Sequence, residues 1–126
     1  MIYTDSEPDN FLTRFSNGEQ IAFADSTSDK GGGNCGFRPH ELLEAAVATC
    51  LNMSLRMSAQ KHNIPLAGAA VSVSLNRNAP EGPTFVYRMT LRGSLSEDQK
   101  SRLLASAANC PVRNTLSRSL HFTPGD

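Results

Sequence analysis

Residues 39 to 62 read PHELLEAAVATCLNMSLRMSAQKH, from Pro39 to His62, and this stretch predicts one long helix around which the rest of the chain is organised. Pro39 suits a first helical position, because its fixed φ is already helical and the N–H it lacks would have had no partner there. Glu41 and Glu44 fall in the early turns, where negative charge meets the positive end of the helix dipole, and Lys61 and His62 fall in the last turn. Asn63 can take a left-handed conformation past the end, and Pro65 forbids continuation. Apolar side chains from Leu42 to Met53 cover nearly the whole circumference, so this half of the helix is expected to be surrounded by protein. Three- and four-residue spacing puts Leu43, Val47, Cys50, Ser54 and Met57 on one face, which predicts a Cys50 thiol buried among aliphatic groups. Taken alone, such a cysteine reads as a small core hydrophobe.

The 126 residues carry twelve Lys and Arg against twelve Asp and Glu, for a formal charge of zero. The length fits a single domain over residues 1–126, and the absence of a basic field argues against nucleic acid or anionic membrane as partners. The opening MIYTDSEPDNF lacks the basic-then-apolar run of a secretory signal, and the apolar helix is too often interrupted by polar residues to span a bilayer, so a cytoplasmic location is expected. Three cysteines are too few, and odd in number, for a disulfide-stapled secreted fold. Thiol chemistry is then worth weighing.

In chain order, residues 11–24 (FLTRFSNGEQIAFA) read as two strands joined at Asn17-Gly18, a pair suited to the positive φ of a tight turn. Arg14 lies on the first of them. The following SDKGGGNCGF is glycine-rich but lacks a phosphate loop's lysine and hydroxyl, and Cys35 within it has no second ligand at metal spacing. After the helix, AAVSVSLNR alternates Val71, Val73 and Leu75 with small polar residues. TFVYRMTLRG does the same with Phe85, Tyr87, Met89 and Leu91, predicting a second antiparallel hairpin with one apolar face. Ser96 and Gln99 form a capping box for a second helix running through Leu103 and Leu104 to about Asn109. Pro111 then restarts a helix and leaves Cys110 at its N-cap, where free N–H groups and the dipole are expected to favour a thiolate. Arg113 reads as an exposed first-turn residue that could add positive charge. SLHF near the end is a possible short strand. His62 and His121 have no zinc partner spacing, and Met53, Met57 and Met89 read as pliable packing.

The words PHELLEAAVATCLNMSLRMSA, a Pro65-Leu66 break with a Val-x-Val strand, and LSEDQKSRLLASAANCPVRNTLS together resemble the OsmC/Ohr family of cysteine-based organic hydroperoxide reductases. The likeness spans most of residues 11 to 122. Its most specific parts are Pro39, Glu41, Leu42, Leu43 and Cys50, and then Cys110-Pro111-Val112. The resemblance implies an α/β (α+β) fold of two antiparallel sheets around long central helices, assembled as an intertwined homodimer. It also implies that Cys50 is the peroxide-attacking thiol and Cys110 the resolving one, with no metal or organic cofactor.

In that chemistry a thiolate attacks the outer peroxide oxygen, an alcohol leaves, and the sulfenic acid condenses with a second thiol to a disulfide. Disulfide closure needs Cα atoms within about 7 Å. An apolar pocket opposes ionisation of Cys50, so a cation must stabilise the anion. In the family this is an arginine from the N-terminal β region, held by a glutamate near the start of the central helix. Arg14 is the first candidate here and Arg38 the second. His40 stands at the family's glutamate position, ten residues before Cys50, and Glu41 beside it takes the role by assignment. The implied partners are an organic hydroperoxide, a dithiol reductant such as a lipoylated protein, and a second copy of the chain. Two other readings stand beside this one: a non-catalytic relative that binds a small hydrophobic ligand, and a thiol redox sensor.

Overall fold

The computed structural model describes residues 1–125, which form a mixed α/β fold with two small antiparallel sheets and helices. The chain divides into two compact units, Met1–Leu43 and Glu44 onward.

In the first unit, β1 (Tyr3–Ser6), β2 (Thr13–Ser16) and β3 (Ile21–Ala24) make a three-stranded meander in that order. Strand β1, absent from the sequence reading, pairs Asp5 with Arg14 and Thr4 with Phe15. Its residues are exposed and alternate weakly, so it carries no period-two signal of its own. The β2–β3 hairpin is present, but Ser16 opposes Ile21, so its loop has four residues rather than the expected Asn-Gly pair. Asn17 Oδ1 accepts the N–H groups of Glu19 (2.9 Å) and Gln20 (2.7 Å), and only Gly18 takes positive φ.

The glycine-rich loop is held by Asp25, a nearly fully buried carboxylate. Its Oδ1 accepts Ser26 N–H at 2.7 Å, and its Oδ2 accepts Gly33 N–H at 3.2 Å and Cys35 N–H at 3.0 Å. The Cys35 N–H does most to hold this carboxyl below the usual range, with those of Ser26 and Gly33 adding to it against a desolvation cost.

Helix α1 (Pro39–Lys61) starts in the last residues of the first unit and continues into the second, which goes on with β4 (Gly68–Asn76) and β5 (Thr84–Arg92), then α2 (Glu97–Ser106), a 3-10 turn (Ala107–Asn109) and α3 (Pro111–Leu116). The end of α1 follows the sequence: Asn63 has φ 52°, and Ile64 N–H closes onto Ala59 O at 2.8 Å. Strands β4 and β5 pair in full register, with Val71 opposite Met89, Val73 opposite Tyr87 and Leu75 opposite Phe85. Of these, Val71, Val73, Phe85, Tyr87 and Met89, together with Leu91, pack on a core of Val47, Leu51, Leu55, Ala59, Ile64, Leu103, Ala107 and Cys110.

Two side chains of α1 also bind the β4 backbone. Glu44 Oε2 accepts Leu75 N–H at 2.7 Å, and Asn52 Nδ2 donates to Ala69 O at 2.9 Å. They satisfy polar groups that a two-stranded sheet leaves unpaired at its edge.

The buried stripe of α1 departs from the expected one. It runs Val47, Leu51, Leu55, Ala59, a four-residue row, whereas Leu43 and Met57 are 41% and 66% exposed. The circumference of the first half is therefore not enclosed within this chain: Met53 is also exposed. A helix apolar on most faces does not reveal by periodicity which face its neighbours cover. The capping box of α2 is complete, with Ser96 Oγ accepting Gln99 N–H and Gln99 Oε1 accepting Ser96 N–H. SLHF forms no strand among the described residues; the chain after α3 is irregular.

Candidate functional site

Cys50 and Cys110 belong to the same core. Cys50 is half-buried at the margin of the α1 stripe and packs against the cluster that contains the fully buried Cys110. Both thiols are free, and Cys50 lies near enough to Cys110 to raise the pKa of its thiol. α1 supplies the first sulfur. Pro111, opening α3, supplies the second by leaving Cys110 as its N-cap, and Cys110 Sγ accepts Arg113 N–H at 3.4 Å.

The N-cap does not give Cys110 the thiolate character its sequence position predicted. Burial pushes its thiol above the ordinary value, and the neighbouring Cys50 thiol pushes it further. The N–H groups of Arg113 and Val112 pull the other way and lose. A side chain with no solvent contact has the charged form penalised more than a six-residue helix can repay. Cys110 therefore holds its proton more tightly than an ordinary thiol.

Glu41 has two ties, both to Arg38. Its Oε1 accepts Arg38 N–H at 2.8 Å, the return half of a capping box at the start of α1, and its Oε2 takes Arg38 Nη2 at 2.9 Å. Arg38 and Glu41 are each about half-exposed along their side chains. Arg14 lies in mid-strand on β2, opposite Asp5 and Phe23, and makes no ion pair among the described residues. His40 is exposed in the first turn of α1. Cys35 is exposed on its loop, its Sγ 3.2 Å from Gly33 O.

A cleft of about 390 Å³ opens in the second unit, lined by Val47, Glu81, Thr84, Phe85, Tyr87, Arg113 and Leu116 among others. Val47 lies one helical turn before Cys50, and Arg113 one turn after Cys110. The sequence treated Tyr87 as core and Arg113 as exposed. Tyr87 does pack against the core and also lines the cleft, and Arg113 is half-buried in its wall rather than exposed. Among the described residues no group of His, Cys, Asp and Glu is placed to hold a metal ion, and no helix is long and apolar enough to cross a membrane.

Several solved structures share this fold. An osmotic stress and detoxification response protein from Psychrobacter arcticus superposes with a TM-score of 0.74 at 19% identity, over 90% of this chain and 85% of the other. An organic hydroperoxide resistance protein OsmC from Legionella pneumophila gives 0.65 at 21%, over 92% and 87%. An OsmC-like protein from Mycoplasma pneumoniae gives 0.69 at 18%, over 93% and 86%. At these identities the likeness is one of fold. No curated protein matches the chain. The family model for OsmC-like protein matches residues 30–124, which takes in both cysteines, the Arg38–Glu41 pair and every element from α1 to α3; the chain belongs to the OsmC-like family.

Proposed function

We propose that this protein is a thiol-dependent peroxidase that reduces organic hydroperoxides to alcohols in cytoplasmic defence against oxidative stress, acting as a homodimer without metal or organic cofactor. The observation that carries the reading is the packing of the half-buried Cys50 against the apolar cluster that holds the fully buried Cys110, near enough to raise its pKa. In this scheme the Cys50 thiolate attacks the outer oxygen of ROOH, the O–O bond breaks, and ROH leaves with a proton. Cys50 is left as a sulfenic acid. Cys110 condenses with it, water departs, and an external dithiol reduces the Cys50–Cys110 disulfide. Half-burial suits Cys50 for the first role, because it is the sulfur of the two that solvent and substrate can reach.

The activating cation is assigned to Arg38 in preference to Arg14, because Glu41 binds Arg38 with both oxygens engaged. That supplies the glutamate-held arginine which the family resemblance calls for. The conclusive measurement is consumption of cumene hydroperoxide in the presence of a dithiol. Wild-type protein consumes it catalytically and Cys50→Ser does not; equal consumption by the two sinks the proposal.

A further inference from the structure

Arg113 makes contacts that an exposed first-turn arginine has no need of. Its backbone N–H donates to Cys110 Sγ, and its Nη1 donates to Ala108 O at 3.3 Å. Its own carbonyl accepts both Ser117 N–H at 3.0 Å and Ser117 Oγ at 2.7 Å. Ala108 belongs to the 3-10 turn immediately before Cys110, whereas Arg113 belongs to the helix immediately after it. The guanidinium therefore bridges the two segments between which the Cys110 sulfur is slung. Its side chain is half-buried in the wall of the cleft that Val47, Phe85 and Tyr87 also line.

We propose that Arg113 is a positioning residue for disulfide closure: by clasping the Ala107–Asn109 turn to α3, it fixes the direction from which the Cys110 sulfur approaches the Cys50 sulfur. The inference rests on the two-cysteine peroxidase reading. In the step concerned, Cys110 gives up its thiol proton and its sulfur lone pair attacks the sulfur of the Cys50 sulfenic acid. The S–O bond breaks and the oxygen leaves with that proton as water. Cys110 supplies the two electrons that reduce the sulfenic acid, and both sulfurs end in one disulfide.

The demand on geometry is strict, since a disulfide requires S–S near 2.05 Å and a dihedral near 90°. A misplacement of about 1 Å in a reacting group costs a large factor in rate. The turn before Cys110 has only 3-10 hydrogen bonds of its own, such as Cys110 N–H to Ala107 O at 3.2 Å, so a side-chain clasp adds a constraint the backbone lacks.

The test uses the full-length protein, reduced, as wild type and as Arg113→Lys and Arg113→Met. The methionine keeps the length and apolar packing of the stem without a donor. Each is oxidised with one equivalent of cumene hydroperoxide and, separately, with diamide, which joins thiols without peroxide chemistry. Appearance of the Cys50–Cys110 disulfide is followed by quenched non-reducing peptide mapping over a pH series.

Closure in Arg113→Met should be about tenfold slower with both oxidants, the effect of losing one hydrogen bond from a charged donor. The factor should be the same at every pH, Arg113→Lys should recover most of the rate, and Arg113→Met should over-oxidise Cys50 more in excess peroxide. Diamide closure at the wild-type rate in Arg113→Met overturns the inference. So does a slowing confined to low pH, which would mean that Arg113 acts on ionisation, or a lysine variant no faster than the methionine one. If diamide shows the slowing while peroxide oxidises none of the three proteins, the clasp stands and the peroxidase reading falls.

Discussion

Cys50, within α1, packs against the core cluster that contains Cys110, the N-cap of α3, and Cys110 is fully buried while Cys50 is only half so. In the proposed scheme that asymmetry divides the labour. The reachable sulfur is suited to meet a hydroperoxide, and the hidden one to meet only its neighbour.

Replacing Cys110 by serine should separate the two steps. Cys110→Ser should still consume a first equivalent of hydroperoxide per chain, because Cys50 is intact, and then a second as Cys50 passes from sulfenic to sulfinic acid and activity is lost. Intact-protein mass spectrometry checks it: a gain of two oxygens on Cys50 in the variant, against a disulfide in the wild type.

Burial of Cys110 also predicts the sign of a pH effect on stability. Its pKa is raised in the fold, first by desolvation and then by Cys50, so the folded chain holds this proton where the unfolded chain has lost it. The resulting stabilisation is fully present below the ordinary thiol pKa and is lost as pH rises through the raised one. The urea midpoint of the reduced protein should therefore fall on the alkaline side, and the fall should be smaller in Cys110→Ala.

The pairing of Glu41 with Arg38 ranks three substitutions. Arg38→Ala should lower peroxide turnover about a hundredfold, the order seen when one preorganised donor is removed from an active site. Glu41→Gln should lower it by less, and should also cost about 0.5–1 kcal/mol of stability at the start of α1. Arg14→Ala should stay close to wild type. Steady-state rates of the three variants decide between the two arginines, since the reverse order for Arg14 and Arg38 rejects the assignment.

Asp25 should control the reactivity of the exposed Cys35 loop. Asp25→Asn removes the anionic Oδ2 that accepts the Gly33 and Cys35 N–H groups, so hydrogen exchange at those amides and alkylation of Cys35 should both speed up. Because the Asp25 pKa is depressed, chiefly by the Cys35 N–H, the support is present above the ordinary carboxylate pKa and lost as pH falls through the depressed one. Acid should then mimic the substitution.

Two neighbouring leucines on α2 test the packing. Leu103 has no solvent contact whereas Leu104 is 41% exposed. Leu103→Ala should destabilise by about 2–5 kcal/mol. Leu104→Ala should fall within about 1 kcal/mol, as expected for substitutions away from the core. Chemical denaturation of both variants measures the difference.

Local chemistry explains what could be read in advance. Pro39 and Asn63 bound α1, Ser96 and Gln99 cap α2, and the alternation in β4 and β5 puts Val71, Val73, Tyr87 and Met89 on the core side. Each depends on residues within a few positions. β1 escaped because its partner, not its composition, makes it a strand, and the β2–β3 loop lengthened because the Asn17 side chain captures two N–H groups.

The sequence by itself determined the helices and the two-faced hairpin, since these rest on short-range sterics, capping and periodicity, and its two cysteine motifs carried the resemblance to the family. Only the tertiary structure decided that the buried row of α1 runs through Leu51 and Leu55, that Glu41 engages Arg38, and that Cys110 holds its proton against the pull of its own helix. Those outcomes depend on which groups from distant parts of the chain exclude water from one another, and desolvation is a property of the packed interior that no local run of residues contains.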